Sequence, residues 1–78
     1  MINLRVVGKD EDGMLSKIID IMYSLKVKMN NITARIISEG KFEVLMSIKV
    51  KDLQETNEII EKIKELDNIQ FVNRSSLG

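Results

Sequence analysis

The chain has 78 residues and contains no histidine and no cysteine. Zinc sites built from these residues, serine–histidine–aspartate triads and thiolate nucleophiles are therefore excluded. Any catalysis would depend on carboxylates, lysines, hydroxyl groups or the single tyrosine, Tyr23. We accordingly expect no catalytic residue, no metal site and no cofactor. Without cysteine there is no disulfide framework, which agrees with a cytoplasmic protein.

Long apolar runs are also missing. None approaches the roughly 18 residues that a membrane-spanning helix needs, so no membrane contact is expected. Hydrophobic residues make up 44% of the chain and charged residues 31%, which is typical of one globular domain. A core of this size is close to the lower limit for independent stability, which favours oligomerisation or attachment to a larger chain.

The charges cancel over the whole chain, with 12 basic and 12 acidic residues, but they are unevenly distributed. Residues 26–51 hold six basic and two acidic side chains, a net charge of +4. Residues 52–67 hold two basic and six acidic side chains, a net charge of −4. The basic half is therefore a candidate surface for a polyanion.

Two periodicities divide the chain into six elements. Alternation predicts strands at 2–8, 27–38, 41–50 and 69–74, with a hairpin turn at Glu39-Gly40. Helical spacing predicts a helix after the first strand, capped by Asp12, and another after the third, capped by Asp52 or a neighbour. The predicted apolar stripes are Leu15, Ile18, Ile19, Met22 and Leu25 in the first helix and Leu53, Thr56, Ile59, Ile60, Ile63 and Leu66 in the second.

This βαββαβ order predicts an α+β fold in one domain spanning residues 1–78. Right-handed crossovers and one hairpin give a four-stranded antiparallel sheet of order 4-1-3-2 with both helices on one face, the ferredoxin-like plait. The face against the helices is predicted to hold Ile2, Leu4, Val6, Ile32, Ala34, Ile36, Phe42, Val44, Met46, Ile48, Ile69 and Phe71. The outer face is predicted to hold Arg5, Val7, Thr33, Arg35, Ile37, Leu45, Ser47, Lys49, Val72 and Arg74.

The stretch "VGKDEDGML", residues 7–15, sets three acids between two glycines. An EF-hand distributes its ligands over about twelve residues, and this cluster lacks that spacing. An exposed turn does not separate the pKa values of a general acid and a general base. The glycine–lysine–hydroxyl ending of a phosphate-binding loop is also absent. A solvated turn at a helix start is the interpretation that the residues favour.

The outer sheet face is a candidate nucleic-acid surface. Base stacking requires aromatic side chains on the central strands, and both phenylalanines are predicted to face inward. Contact with an RNA backbone remains open, and it would use Arg5, Arg35, Lys49 and Arg74.

A strand followed by Asp-x-x-Gly-apolar-Leu at a helix start, here residues 10–15, resembles the ACT domain family, and the resemblance covers essentially the whole chain. Lys26-Val27, Ala34-Arg35 and the ending "DNIQFVNR" resemble more narrowly the C-terminal ACT domain of the bifunctional RelA/SpoT-type enzymes. Those enzymes make and hydrolyse (p)ppGpp.

The resemblance implies a small-ligand pocket at the first strand–helix turn, often completed by the second strand of another protomer. On this chain the turn residues are Asp10, Gly13, Met14 and Leu15. The asparagine–isoleucine pair that many relatives carry early in the second strand falls on Lys28 and Met29, followed by Asn30.

The implied function is that of a non-catalytic regulatory domain of a (p)ppGpp synthetase/hydrolase (a GTP pyrophosphokinase of the stringent response), excised from the larger enzyme. It would act through a homodimer formed at a sheet edge, through other domains of the enzyme, and through the ribosome or tRNA. A small amino acid is the ligand that the resemblance implies for the pocket, and Lys28 in place of the asparagine predicts that this chain binds it weakly or not at all. The alternative is an amino-acid-sensing domain of a biosynthetic enzyme or a stand-alone regulator, and an independent enzyme on the same plait is a third class.

Overall fold

The structure is a computed structural model and describes residues 2–75. The predicted order of elements is confirmed, and each boundary agrees with the sequence pattern to within a residue or two. The elements are β1 (Ile2–Lys9), α1 (Met14–Ser24), β2 (Lys28–Ser38), β3 (Lys41–Lys49), α2 (Leu53–Lys64) and β4 (Ile69–Ser75).

The four strands form one antiparallel sheet of order β2-β3-β1-β4, as predicted. β1 pairs with β3 along its whole length, from Ile2 opposite Ile48 to Lys9 opposite Lys41. Two crossovers through helices place β1 and β3 in the centre and leave β2 and β4 as edges. The β2–β3 hairpin turns at Gly40, whose φ of 73° is one that glycine adopts without a Cβ clash.

The core lies between the sheet and the two helices. Its buried residues are Leu4, Val6, Met14, Ile18, Met22, Phe42, Val44, Met46, Ile48, Ile59, Ile63 and Val72. Neither helix within residues 2–75 is long and apolar enough to cross a membrane.

The helix stripes differ from the prediction at their first residues. Met14 is buried, whereas Leu15 is 39% exposed. In α2 the buried residues are Thr56, Ile59 and Ile63, whereas Leu53 is 62% exposed. The first residue assigned to each stripe is therefore exposed, and in α1 its neighbour Met14 faces the core instead.

The prediction that Asp12 caps α1 is wrong. The N-cap is Gly13, in the left-handed conformation with φ 79°, and no side chain accepts a capping hydrogen bond there. The turn needs a positive φ immediately before the helix, and glycine meets that need. The corresponding prediction for α2 is confirmed, since Asp52 accepts a hydrogen bond of 2.8 Å from the backbone N–H of Glu55.

The faces predicted for the last strand, β4, are partly wrong. Gly8 pairs with Ile69 and Val7 pairs with Phe71, so β4 has one extra residue, Gln70, opposite the Val7–Gly8 step of β1. Such a bulge exchanges the two faces for every later residue. Phe71 therefore lies on the outer face, opposite Val7. Val72 lies in the core at 6% exposure, and Arg74 is paired with Leu4 on the helix side.

β2 is the least covered part of the sheet. Ala34 and Ile36 share the helix side with their partners Val44 and Phe42, as predicted. Both are nevertheless exposed, Ile36 to 58%, whereas Val44 and Phe42 are buried. The helices pack over the other strands and leave this apolar edge without cover.

Candidate ligand-binding groove

The turn between β1 and α1 is fixed to both neighbouring loops. The backbone N–H of Asp10 donates to the carbonyl oxygen of Gly40 at 2.8 Å, which ties it to the β2–β3 hairpin. The N–H of Lys9 donates to the carbonyl of Asn68 at 2.9 Å, and the Asn68 amide donates back to the Lys9 carbonyl at 2.8 Å. These bonds hold the turn in place beside the uncovered edge of β2.

A groove of about 370 Å³ lies between this turn and β2. Its walls combine the exposed acidic turn with apolar side chains of the sheet. The N–H of Met14 donates to the carbonyl of Glu11 at 3.3 Å, and the next two N–H groups of α1, those of Leu15 and Ser16, have no partner within the helix, so they can hold a carboxylate. Apart from residues 12–14 themselves, no described atom lies within 4 Å of the position that a Cβ of Gly13 would occupy, so the backbone there is open to a ligand. The lining residues are Asp10, Glu11, Asp12, Gly13, Met14, Leu15, Ser16, Ala34, Arg35, Ile36, Phe42 and Val44.

The predicted site residues divide into two groups. Asp10, Gly13, Met14 and Leu15 line one groove together. The second group, residues 28–30, lies at the opposite end of β2, where Lys28 is paired with Lys49 and Met29 with Ile48. One chain therefore does not bring the two groups together. Whether these residues bind a ligand stays a prediction.

Eight of the twelve groove residues were not assigned from the sequence as site residues. Three of them belong to the turn and the helix start (Glu11, Asp12 and Ser16), and five belong to the sheet (Ala34, Arg35, Ile36, Phe42 and Val44). The sequence did contain a signal for two of them, because the predicted hairpin turn at Gly40 places Ile36 opposite Phe42. The acids of the turn do not gather into a metal site. Within residues 2–75 no group of three acidic side chains is placed to hold a metal ion.

The outer sheet face carries an ion triad. Glu43 lies between Arg5 and Arg35, with Nε-to-carboxylate distances of 2.5 Å and 2.7 Å, and only 3% of its side chain is exposed. Arg5 also stacks on Phe71, with 5.4 Å from Cζ to the ring centroid. Two of the four residues considered for RNA contact are therefore bound to Glu43, and Arg74 lies on the other face. RNA contact through this face stays a prediction, with less free positive charge than the sequence suggested.

The triad lowers the pKa of Glu43. Its main cause is the hydrogen bond from Arg5, followed by the hydrogen bond from Arg35, and burial opposes both. A carboxyl whose folded pKa lies below its unfolded value stabilises the fold above the unfolded pKa. That contribution disappears as the pH falls through the folded pKa.

We therefore expect the free energy of unfolding to fall more steeply below about pH 4.5 in the parent chain than in Glu43→Gln. Urea denaturation at a series of acidic pH values measures this difference. Glu58→Gln, which removes an exposed glutamate of α2, is the matched control and should keep the steep slope. Equal slopes in the parent chain and in Glu43→Gln would contradict the role given to the triad.

Comparison with known proteins supplies a family. A family model described as "ACT domain" matches residues 1–74. No curated protein sequence matches the chain.

Solved structures share the fold. The ACT domain of a GTP pyrophosphokinase from Chlorobium tepidum is similar with a TM-score of 0.84 and 22% identity, over 95% of each chain. The acetolactate synthase small subunit of Thermotoga maritima has a TM-score of 0.79 and 19% identity, over 97% of this chain and 48% of that one. A homoserine dehydrogenase from Thiobacillus denitrificans has a TM-score of 0.76 and 20% identity, over 94% of this chain and 16% of that one.

Proposed function

The chain belongs to the ACT domain family, and from that premise we propose that it is the regulatory domain of a cytoplasmic (p)ppGpp synthetase/hydrolase. The domain itself is regulatory and non-catalytic. The observation that supports a regulatory role is the groove between the β1–α1 turn and β2. In this groove the start of a helix lies beside an uncovered apolar strand, as a small-ligand site requires. The shared fold of the GTP pyrophosphokinase ACT domain supports the choice of parent enzyme. Other domains of that enzyme, and the ribosome or tRNA, are the proposed larger partners.

The proposed working form is a homodimer joined along β2. This edge strand is eleven residues long, contains no proline, and exposes Ile36 to 58% and Ile37 to 39%. Such an edge offers unpaired backbone groups to a second copy. Antiparallel pairing about a two-fold axis near Thr33 would place Asn30 of a second copy opposite Ile36. The residues at the start of one β2 would then close the groove beside the turn of the other chain.

The alternative function is amino-acid sensing for a biosynthetic enzyme. The acetolactate synthase small subunit and the homoserine dehydrogenase support this alternative in the same way that the GTP pyrophosphokinase domain supports the first proposal, through a shared fold. Reading the genomic frame upstream separates the two. Several hundred codons containing a nucleotidyltransferase region would support the (p)ppGpp enzyme, whereas a biosynthetic catalytic region would support the alternative.

Amino-acid binding is expected to be weak or absent in the parent chain. Lys28 stands where relatives place an asparagine, and an ammonium group donates hydrogen bonds but accepts none. It attracts the carboxylate of a free amino acid and repels the ligand's own ammonium group. Calorimetric titration with valine, leucine and isoleucine measures the affinity. A dissociation constant in the low micromolar range would show that the argument from Lys28 is wrong.

Lys28→Asn is the informative variant for this site. Restored binding would support both the alignment and the closed groove of the dimer. Lys64→Asn, at an exposed position of α2 away from the groove, removes the same charge and should restore nothing. If Lys28→Asn also fails to bind these amino acids, the groove does not act as an effector site. The proposed regulation would then depend only on contacts with other macromolecules.

A further inference from the structure

A second groove lies at the end of the sheet remote from the β1–α1 turn. Its volume is about 290 Å³, and two segments of the chain contribute to it. The first is the turn after α1 with the start of β2, and the second is the end of β3 with the turn into α2 and the first turn of that helix. The lining residues are Lys26, Lys28, Lys49, Val50, Lys51 and Glu55. Four of the chain's 12 basic residues therefore surround one small depression.

The positive charge of this lysine groove is poorly compensated. Lys28 and Lys49 are direct cross-strand partners, an arrangement in which like charges repel. Among the ion pairs within residues 2–75, only Lys51 of the four lysines has an acidic partner, Glu55 at 4.0 Å. A multiply charged anion in the groove would remove this repulsion.

The backbone of Lys26 adds an independent observation. Its φ is 58°, and it is the one residue other than glycine with positive φ in the described part of the chain. Lys26 follows the C-cap of α1, where glycine is the usual residue because a Cβ is unfavourable there. The chain thus places a lysine where glycine would be more stable, and that lysine lines the groove.

The positive patch is confined to the groove. On one side α2 presents Glu55, Glu58 and Glu61. On the other side the arginines of the outer sheet face are held by Glu43. A second cross-strand lysine pair, Lys9 with Lys41, lies at the far end of the sheet, but Asp10, Glu11, Asp12 and Glu39 flank it in the sequence. No track of positive charge therefore leads away from the lysine groove.

We propose that the lysine groove binds a compact polyphosphate anion, such as the phosphate chain of a nucleoside polyphosphate. Lysine binds phosphate as a point charge, and two pairs of lysines from two segments of the chain meet here. No aromatic side chain lines the groove, so the phosphates and not a base are recognised. A long nucleic-acid backbone would need a continuous basic surface, which the bordering acids interrupt. In one chain the site lies at the opposite end of the sheet from the groove at the β1–α1 turn, and Lys28 is the residue that the proposed dimer would share between them. The test below leaves Lys28 unchanged, so its failure would leave the proposed function unaffected.

The test is an NMR titration of the ¹⁵N-labelled chain with tripolyphosphate at low ionic strength. We expect saturable shifts of the backbone amides of residues 26–28 and 49–51. The double variant Lys26→Asn/Lys49→Gln should weaken binding about tenfold or more, since each lost charge contributes a factor of several. Asparagine tolerates the left-handed backbone of position 26, so this variant keeps the fold. Lys9→Gln/Lys41→Gln removes the same charge from the other lysine pair and should bind like the parent chain.

Three outcomes would overturn the proposal. The first is the absence of saturable shifts, and the second is an equal loss in the two double variants, which would indicate attraction by net charge alone. The third is tighter binding of a single-stranded oligoribonucleotide than of tripolyphosphate at the same residues, which would assign the groove to an RNA backbone.

Discussion

Replacing Gly8 with alanine is expected to lower the free energy of unfolding by about 3 kcal/mol, the upper range for forced overpacking. A Cβ at this position would overlap the backbone carbonyl oxygen of Asn68 and lie 3.1 Å from the Cα of Ile69. Both are backbone atoms, and the Lys9–Asn68 hydrogen bonds hold them in place. The strands can accept the new methyl group only by separating at the β4 bulge.

Gly13→Ala is the matched control for this experiment. It has open space for a Cβ but a φ of 79°, so its cost is that of the backbone conformation alone, about 1 to 2 kcal/mol. Urea denaturation measures both variants. A smaller loss for Gly8→Ala than for Gly13→Ala would show that β1 and β4 are not packed as closely as described.

Replacing Ile36 with glutamate is expected to weaken the proposed homodimer by about a hundredfold or more, because each copy loses a buried aliphatic group and gains a charge at the interface. Ile36 is 58% exposed in the single chain, so the substitution does not disturb the core. Light scattering over a series of concentrations measures the change. The variant should remain monomeric at concentrations where the parent chain is a dimer.

Gln70→Glu is the control for Ile36→Glu. It adds the same charge on the other edge strand, β4, at an exposed position. Dimerisation should be unchanged in this variant. Loss of the dimer in Gln70→Glu, with Ile36→Glu unaffected, would assign the interface to β4.

The fold was largely predictable because its signals are local. Alternation and helical spacing mark all six elements, and handedness rules then leave one sheet order. The error in β4 has a physical cause. A bulge inserts one residue without a marked sequence signal, so the alternation read from Ile69 to Phe71 put Val72 on the wrong face.

The site was only partly predictable. Asp10, Gly13, Met14 and Leu15 follow from one local turn, and the structure does place them on one groove. The exposure of Ile36 depends on how far the helices extend over the sheet, which no local pattern records. The burial of Glu43 likewise depends on arginines that are 38 and 8 residues away in sequence.

Hydrogen exchange of the β2 amides tests most directly whether a second copy closes the groove. In a single chain the outward N–H groups of this edge strand have no partner strand and exchange rapidly. In the proposed dimer they pair with β2 of the second copy. We predict that alternate amides of residues 31–37 become protected as the protein concentration rises, while the outer amides of β4 stay unchanged. Fast exchange along β2 at every concentration would contradict the account.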